Sequence, residues 1–287
     1  MTAADERLAL DVIETSLSTS VIGRASAAQN GKNDNALPEL AKNELWESID
    51  STNTRAAALA AAGAPEGVLV LARQQTAGRG RHGRVWVSPP DAGISFSVIL
   101  RPQIALTRLP LITLATGTAV ARAIEASVGV RPGLKWVNDI VLNGRKLGGI
   151  LAEMPGQALI IGIGINVRFS EADVPDDLRT KIEWLERVVG KPVDPNLIVL
   201  ELAHKLEEAY NQLLEGKTDE ILNAWKSYST TIGQEIESKN GTTAGVVRGK
   251  AVDITSSGAL LVEMENGETT ELHAGEISIR RLDGSYA

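Results

Sequence analysis

The sequence predicts an α+β protein that ends in a small SH3-like β-barrel. Three observations carry that reading. Two long helical patterns, Leu109 to Val128 and Pro195 to about Tyr228, stand among apolar, strand-like runs. Asn143-Gly144 between two such runs is the strongest short-range hairpin signal. From about Gly233 the pattern shifts to short alternating runs broken by Ser256-Ser257-Gly258 and Asn266-Gly267, the spacing of a small barrel.

Residues 1–44 read as an N-terminal extension, partly disordered. Leu8, Val12, Ile13 and Leu17 can line one face of a short helix, whereas Ala25 to Pro38 is small and polar and reads as a loop or disordered link. Organised structure is expected from Leu45. Ser51-Thr52-Asn53-Thr54 offers N-caps for an alanine-rich helix from Arg55 to Ala62, which Gly63 and Pro65 stop. Val68 to Leu71 is a short buried strand. Ile94, Phe96, Val98 and Leu100 alternate, as in a strand with one core face. Gly129 terminates the helix from Leu109. Leu134 to Leu142 reads as one strand, joined through Asn143-Gly144 to Lys146 to Glu153. Ala158 to Val167 is a further strand, interrupted by Gly162 and Gly164, and glycine inside a strand often marks close approach of a ligand. The helical stretch from Pro195 breaks near Gly216-Lys217. Val246-Val247, Val252/Ile254, Leu260/Val262/Met264, Thr270/Leu272 and Ile277/Ile279 then supply the short strands. The expected division is a main domain over 45–232 and a barrel over 233–287, without internal repeats.

The 287 residues allow a large domain with a smaller one, and the formal net charge of −7 argues against a general nucleic-acid or membrane binder. The absence of cysteine excludes disulfides and thiolate zinc sites and fits a reducing compartment. No apolar run is expected to span a bilayer, and the opening residues lack the pattern of a signal peptide. A soluble cytoplasmic protein is the default.

Against that acidic background, Gly78-Arg79-Gly80-Arg81-His82-Gly83-Arg84 concentrates positive charge. Glycine permits close backbone approach and arginine presents forked donors, so an ordered loop of this kind suits an anion. Read alone, it is equally a flexible loop or an RNA-binding tail. It lacks the Lys-Ser/Thr end of a P-loop and the frame of a dinucleotide-binding turn. On a strand, Lys135, Val137 and Asp139 would face one side, and Trp136 and Asn138 the other. Lys146 after a tight turn is by default a solvated lysine, Gly162-Ile163-Gly164-Ile165-Asn166 is a ligand floor or a bulge, and Trp86 is a site residue or core. His82, His204 and His273 are scattered and suggest no metal site.

Together these segments resemble the biotin protein ligases, or biotin–[acetyl-CoA-carboxylase] ligases. The resemblance rests on Ser51-Thr52-Asn53, Gln75 to Arg84, Lys135 to Asp139, Arg145 to Leu151 and Gly162 to Asn166, in the family's order, and covers residues 45 to 283. It implies a mixed central sheet with flanking helices, of the class II synthetase-like kind, over a catalytic domain 45–232. It also implies a two-step reaction with ATP, biotin and Mg2+: biotinyl-5′-AMP forms, and a lysine of a biotin carboxyl carrier domain of an acyl-CoA or pyruvate carboxylase then takes the biotin.

Residue by residue, the resemblance assigns catalysis to Lys146, Arg79, Arg81 and Asp139, the last with a possible metal role. Biotin falls to Ser51, Thr52, Asn53, Gln75, Gly78, Arg79, Gly80, Arg81, Lys146, Gly149, Gly162 and Gly164. The nucleotide falls to Arg79, Arg81, Trp86, Asn138, Lys146 and Asn166, with Trp86 on adenine. His82 stands where arginine is common in the family. The segment before Leu45 lacks the length and basic face of a DNA-binding module, so a monofunctional ligase is expected, a monomer or weak homodimer without nucleic-acid or membrane partners. The competing readings are a biotin-sensing DNA-binding regulator, a lipoate or octanoyl transferase on the same fold, and a Gly/Arg RNA binder.

Overall fold

The computed structural model describes residues 7–24, 38–105, 108–240, 246–273 and 277–281. A seven-stranded sheet runs in the order β1-β2-β3-β7-β6-β5-β4, from β1 (Glu44–Trp46), β2 (Leu69–Ala72), β3 (Gly93–Leu100), β4 (Gly133–Lys135), β5 (Asp139–Leu142), β6 (Arg145–Glu153) and β7 (Leu159–Asn166). β1 and β2 are parallel and the other neighbours antiparallel, so the sheet is mixed. α3 (Leu109–Val128), α5 (Pro195–Leu214) and α6 (Thr218–Lys226) pack together on one face, and α2 (Thr52–Ala61) packs on β2, β3 and β7. A short α4 (Leu185–Val189) precedes α5. The C-terminal SH3-like unit is a five-stranded antiparallel sheet in the order β11-β10-β9-β8-β12, from β8 (Glu235–Asn240), β9 (Arg248–Ile254), β10 (Leu260–Glu263), β11 (Thr269–Leu272) and β12 (Ile277–Arg281).

Helix ends follow local chemistry. Ser51 is extended and its hydroxyl accepts the Thr54 N–H, so α2 starts at Thr52 and not at Arg55, and Thr52 and Asn53 lie in its first turn. α3 ends at Gly129 with φ 72°, the left-handed conformation that glycine tolerates. α3 is also apolar and long enough to cross a membrane over Pro110–Val128, contrary to the expectation that no run would be, but 67% of that stretch is buried within the protein. Its composition is that of a core helix.

Other departures have tertiary causes. Organised structure begins before Leu45: α1 (Leu10–Ser16) is seated with Leu8, Ile13, Leu17 and Ile22 in the main core. Irregular backbone around it finds distant partners. Arg73 donates to the Leu8 carbonyl, and the Glu207 carboxylate accepts the N–H groups of Ser20, Val21 and Ile22 at 2.7, 2.7 and 2.9 Å. Of the stretch from Ala25 to Pro38, residues 25–37 lie outside the described residues. β3 is buried on both faces, not one, because α2 covers the side opposite the main core. The single strand expected over 134–142 is two strands joined by a turn at Trp136-Val137-Asn138, with a cis Trp136–Val137 peptide. Lys135 and Asp139 are therefore cross-strand partners and do not alternate along one strand. In the C-terminal sheet, β8 had no sequence expectation, and Val246-Val247 precedes β9 instead of forming a strand of its own.

Candidate active site

The site is built on the α2 side of the sheet. Strand register aligns Ser95, Gly164, Gly149, Asp139 and Lys135 in one row across β3, β7, β6, β5 and β4, and Ser97, Gly162 and Leu151 in the next. Successive side chains alternate faces, so Ile161, Ile163 and Ile165 enter the core while Gly162 and Gly164 leave the other face bare. That bare floor is occupied by neighbours. A Cβ on Gly162 would lie 2.2 Å from Asn53 Oδ1, and one on Gly164 2.5 Å from the Trp86 ring. Gly162 and Gly164 interrupt nothing: β7 is continuous across both.

Lys146 reaches this floor through a β-bulge. Ile140 pairs with Gly148 and Val141 with Lys146, which leaves Leu147 unpaired. Strict alternation would place Lys146 with Gly148 and Ile150. The extra residue moves it to the face of Gly149, where an added Cβ would lie 3.2 Å from Lys146 Nζ. The Lys146 backbone is held on both sides, donating to the Lys181 carbonyl and accepting from Glu183 N–H, each at 2.8 Å. Its ammonium meets Asp139 Oδ1 at 2.5 Å and sits 5.8 Å from the Trp86 ring centroid.

One end of the cleft is neutral and hydrogen-bonding. Thr52 N–H donates to Gln75 Oε1 at 2.8 Å. Ser97 Oγ lies 2.8 Å from Thr52 Oγ1 and 2.7 Å from Asn53 Oδ1. The other end is cationic. Arg81 donates to Asn138 Oδ1 at 3.1 Å, and Asn138 in turn donates to the Ile150 carbonyl at 3.0 Å. Burial pulls the Arg81 guanidinium below its ordinary pKa; Asp139 opposes this and Arg84 adds to it. An arginine so shifted is still charged at neutral pH.

The Gly/Arg segment forms a short antiparallel ladder over this floor. Trp86 N–H donates to the Gly78 carbonyl at 2.9 Å and Gly80 N–H to the Arg84 carbonyl at 2.8 Å. A Cβ on Gly78 would lie 2.5 Å from the Trp86 carbonyl oxygen, so this glycine permits the crossing of the two strands. Arg79 points to Glu153, with Nη2 to Oε2 at 2.9 Å.

All the sequence-predicted site residues except Gly78 line the one cleft. Asn166 also donates to the Glu183 carbonyl at 2.9 Å, which helps seat the segment beside Lys146. Sequence reasoning missed Ser97, Glu153, Lys135 and the apolar wall of Phe169, Leu178 and Ile182. Ser97 had a signal, since it alternates with Phe96 and Val98. Glu153 had none, because its partners are distant in sequence. Among the described residues no cluster of three metal-ligating side chains forms.

Residues 45–170 match the biotin/lipoate A/B protein ligase family, and residues 231–280 the biotin protein ligase C-terminal domain. The bifunctional ligase/repressor BirA of Bacillus spizizenii is 40% identical over 224 residues, spanning 76% of this chain and 68% of that protein. The biotin–[acetyl-CoA-carboxylase] ligase of Mycobacterium tuberculosis is 34% identical over 243 residues, 81% of this chain and 89% of that one. A biotin protein ligase from Aquifex aeolicus, solved in complex with biotin and ATP, aligns with a TM-score of 0.75 at 30% identity, covering 84% of this chain and 99% of that one.

Proposed function

This chain belongs to the biotin protein ligase family, and from that premise we propose how its cleft works. It activates biotin with ATP to biotinyl-5′-AMP and then transfers biotin to a lysine of a biotin carboxyl carrier protein. The observation that carries the reading is the single glycine floor with a neutral polar end at Thr52, Asn53, Gln75 and Ser97 and a cationic end at Arg81 and Lys146. A uncharged ureido ring requires neutral donors and acceptors, and a carboxylate meeting a phosphate requires fixed cations.

In the first step a biotin carboxylate oxygen bonds to the α-phosphorus of ATP, and the bond to the leaving pyrophosphate breaks. Both reactants are anionic. Lys146 and Arg81 lower the repulsion where charge concentrates, and being held beforehand by Asp139 and Asn138 they need little reorganisation. Trp86, lying on Gly164 beside the ammonium, offers its ring to the adenine. In the second step the carrier lysine amine attacks the acyl carbon, AMP leaves with the electron pair of the broken C–O bond, and the amine loses a proton. The Gly/Arg ladder roofs the mixed anhydride against water meanwhile.

Among the described residues no metal cage forms, and Asp139, a carboxylate beside Lys146 in the cleft, suits a magnesium that arrives on the nucleotide phosphates. Such an ion would add positive charge on the phosphates. A cytoplasmic setting, with an acyl-CoA or pyruvate carboxylase carrier as partner, completes the proposal. The test is incubation with ATP, magnesium, biotin and an apo carrier domain, read by streptavidin. No labelled carrier from folded protein would overturn the reading.

A further inference from the structure

Glu153 closes a chain of polar contacts that runs from the cationic loop to the neutral end of the cleft. Its Oε2 receives Arg79 Nη2 at 2.9 Å and Asn53 Nδ2 at 2.8 Å. A carboxylate only accepts, so Asn53 must turn its NH2 towards Glu153 and its carbonyl towards Ser97, 2.7 Å away. The second Asn53 N–H is directed at the Leu151 carbonyl at 3.3 Å. Both donors are thereby engaged, and what Asn53 has left for a ligand is a lone pair on Oδ1. The Arg79 charge, for its part, is matched by Glu153, while Lys146 and Arg81 stand at the other end of the cleft.

We propose that Glu153 is a positioning residue: it fixes the Asn53 amide as an acceptor for an N–H of the bound ring and couples that end of the site to closure of the loop through Arg79. The inference rests on the ligase reading. Arg79, which the resemblance assigns to catalysis, then serves as the latch of the loop.

The test is Glu153→Gln in the full chain. The volume is kept, but a neutral amide releases Arg79 and lets Asn53 turn over. The expected result is a rise of about tenfold in KM for biotin with KM for ATP within about twofold, matching the loss of one hydrogen bond to a polar ligand group. With biotin and ATP bound, trypsin should cut after Arg79, Arg81 or Arg84 several-fold faster than in the parent protein. Glu153→Gln and Arg79→Gln should be non-additive, since each breaks the same latch. Ser97→Ala, which frees the other end of the Asn53 amide, should raise KM for biotin alone. Unchanged KM for biotin in both Glu153→Gln and Ser97→Ala, or equal rises for biotin and ATP, overturns the inference while leaving the ligase intact. A parent protein that forms no biotinyl-AMP removes both readings.

Discussion

Lys146 and Asp139 are cross-strand neighbours brought face to face by the unpaired Leu147, with the ammonium 2.5 Å from the carboxylate. The pair is partly screened from water, so the carboxylate holds the ammonium in the cleft and limits the positions it can adopt. On the proposed mechanism Asp139 would then act through Lys146.

Lys146→Ala should lower adenylate formation by roughly 10²–10³-fold, the scale for removing one preorganised group that stabilises developing charge. Asp139→Asn should lower it less. In the Lys146→Ala background, Asp139→Asn should add almost nothing if the carboxylate acts through the lysine. ATP–pyrophosphate exchange with biotin reads all three variants, and a full multiplicative effect in the double variant would give Asp139 an independent task.

Gly162→Ala and Gly164→Ala should separate the two ends of the cleft. The first drives a methyl into Asn53 and the second into the Trp86 ring. Each crowds a side chain and not strained backbone, so both variants should fold. Expected are a rise of about tenfold in KM for biotin with Gly162→Ala and a comparable rise for ATP with Gly164→Ala. Steady-state kinetics varying one substrate at a time decides; equal effects on both constants would argue against two distinct ends.

Trp136→Phe tests how the C-terminal sheet is attached. The buried Trp136 indole donates to the Gly258 carbonyl at 3.1 Å, and the Trp136 N–H donates to Thr231 Oγ1 at 2.9 Å. Phenylalanine keeps a six-membered aromatic ring but loses the pyrrole part, so the Gly258 carbonyl is left without that donor and a small void opens, which should together cost about 1–3 kcal/mol. Urea unfolding measures the loss. An unchanged midpoint would mean that the contact contributes nothing to stability.

The Arg55–Glu44 pair, with Nη2 to Oε1 at 2.7 Å, ties α2 to β1. Its hydrogen bond to Arg55, more than the opposing effect of burial, holds the Glu44 carboxyl below its ordinary value of 4.5. A carboxylate whose folded pKa is depressed stabilises the fold above its unfolded pKa. That contribution is lost as pH falls from about 4.5 through the lower folded value. Glu44→Gln should therefore narrow the stability gap to the parent as pH drops through this range. Melting temperatures between pH 7 and pH 3 read the effect, and a gap that stays constant would remove Glu44 from the acid response.

The order of short motifs was legible because each depends on its own residues. Asn143-Gly144 takes φ values of 52° and 71° and closes the hairpin as its chemistry dictates. Gly129 ends α3 for the same kind of reason. Non-local effects were not legible. The turn at Trp136-Val137-Asn138 is held by Thr231, ahead of β8, and by Gly258, in the turn between β9 and β10, and the backbone on either side of α1 is held by Arg73 and Glu207 far along the chain.

Local patterns were enough for the α+β class, the long helices, the family and the motif residues of the cleft, its glycine floor and most of its polar side chains, but not its apolar wall, because periodicity, turn chemistry and motif spacing act over a few residues. Tertiary structure alone decided which face Lys146 occupies, which carboxylate meets which cation, and that Glu153 joins Arg79 to Asn53. Those outcomes depend on strand register. One unpaired residue in β6 turns a side chain to the opposite face of the sheet, and no local pattern records it.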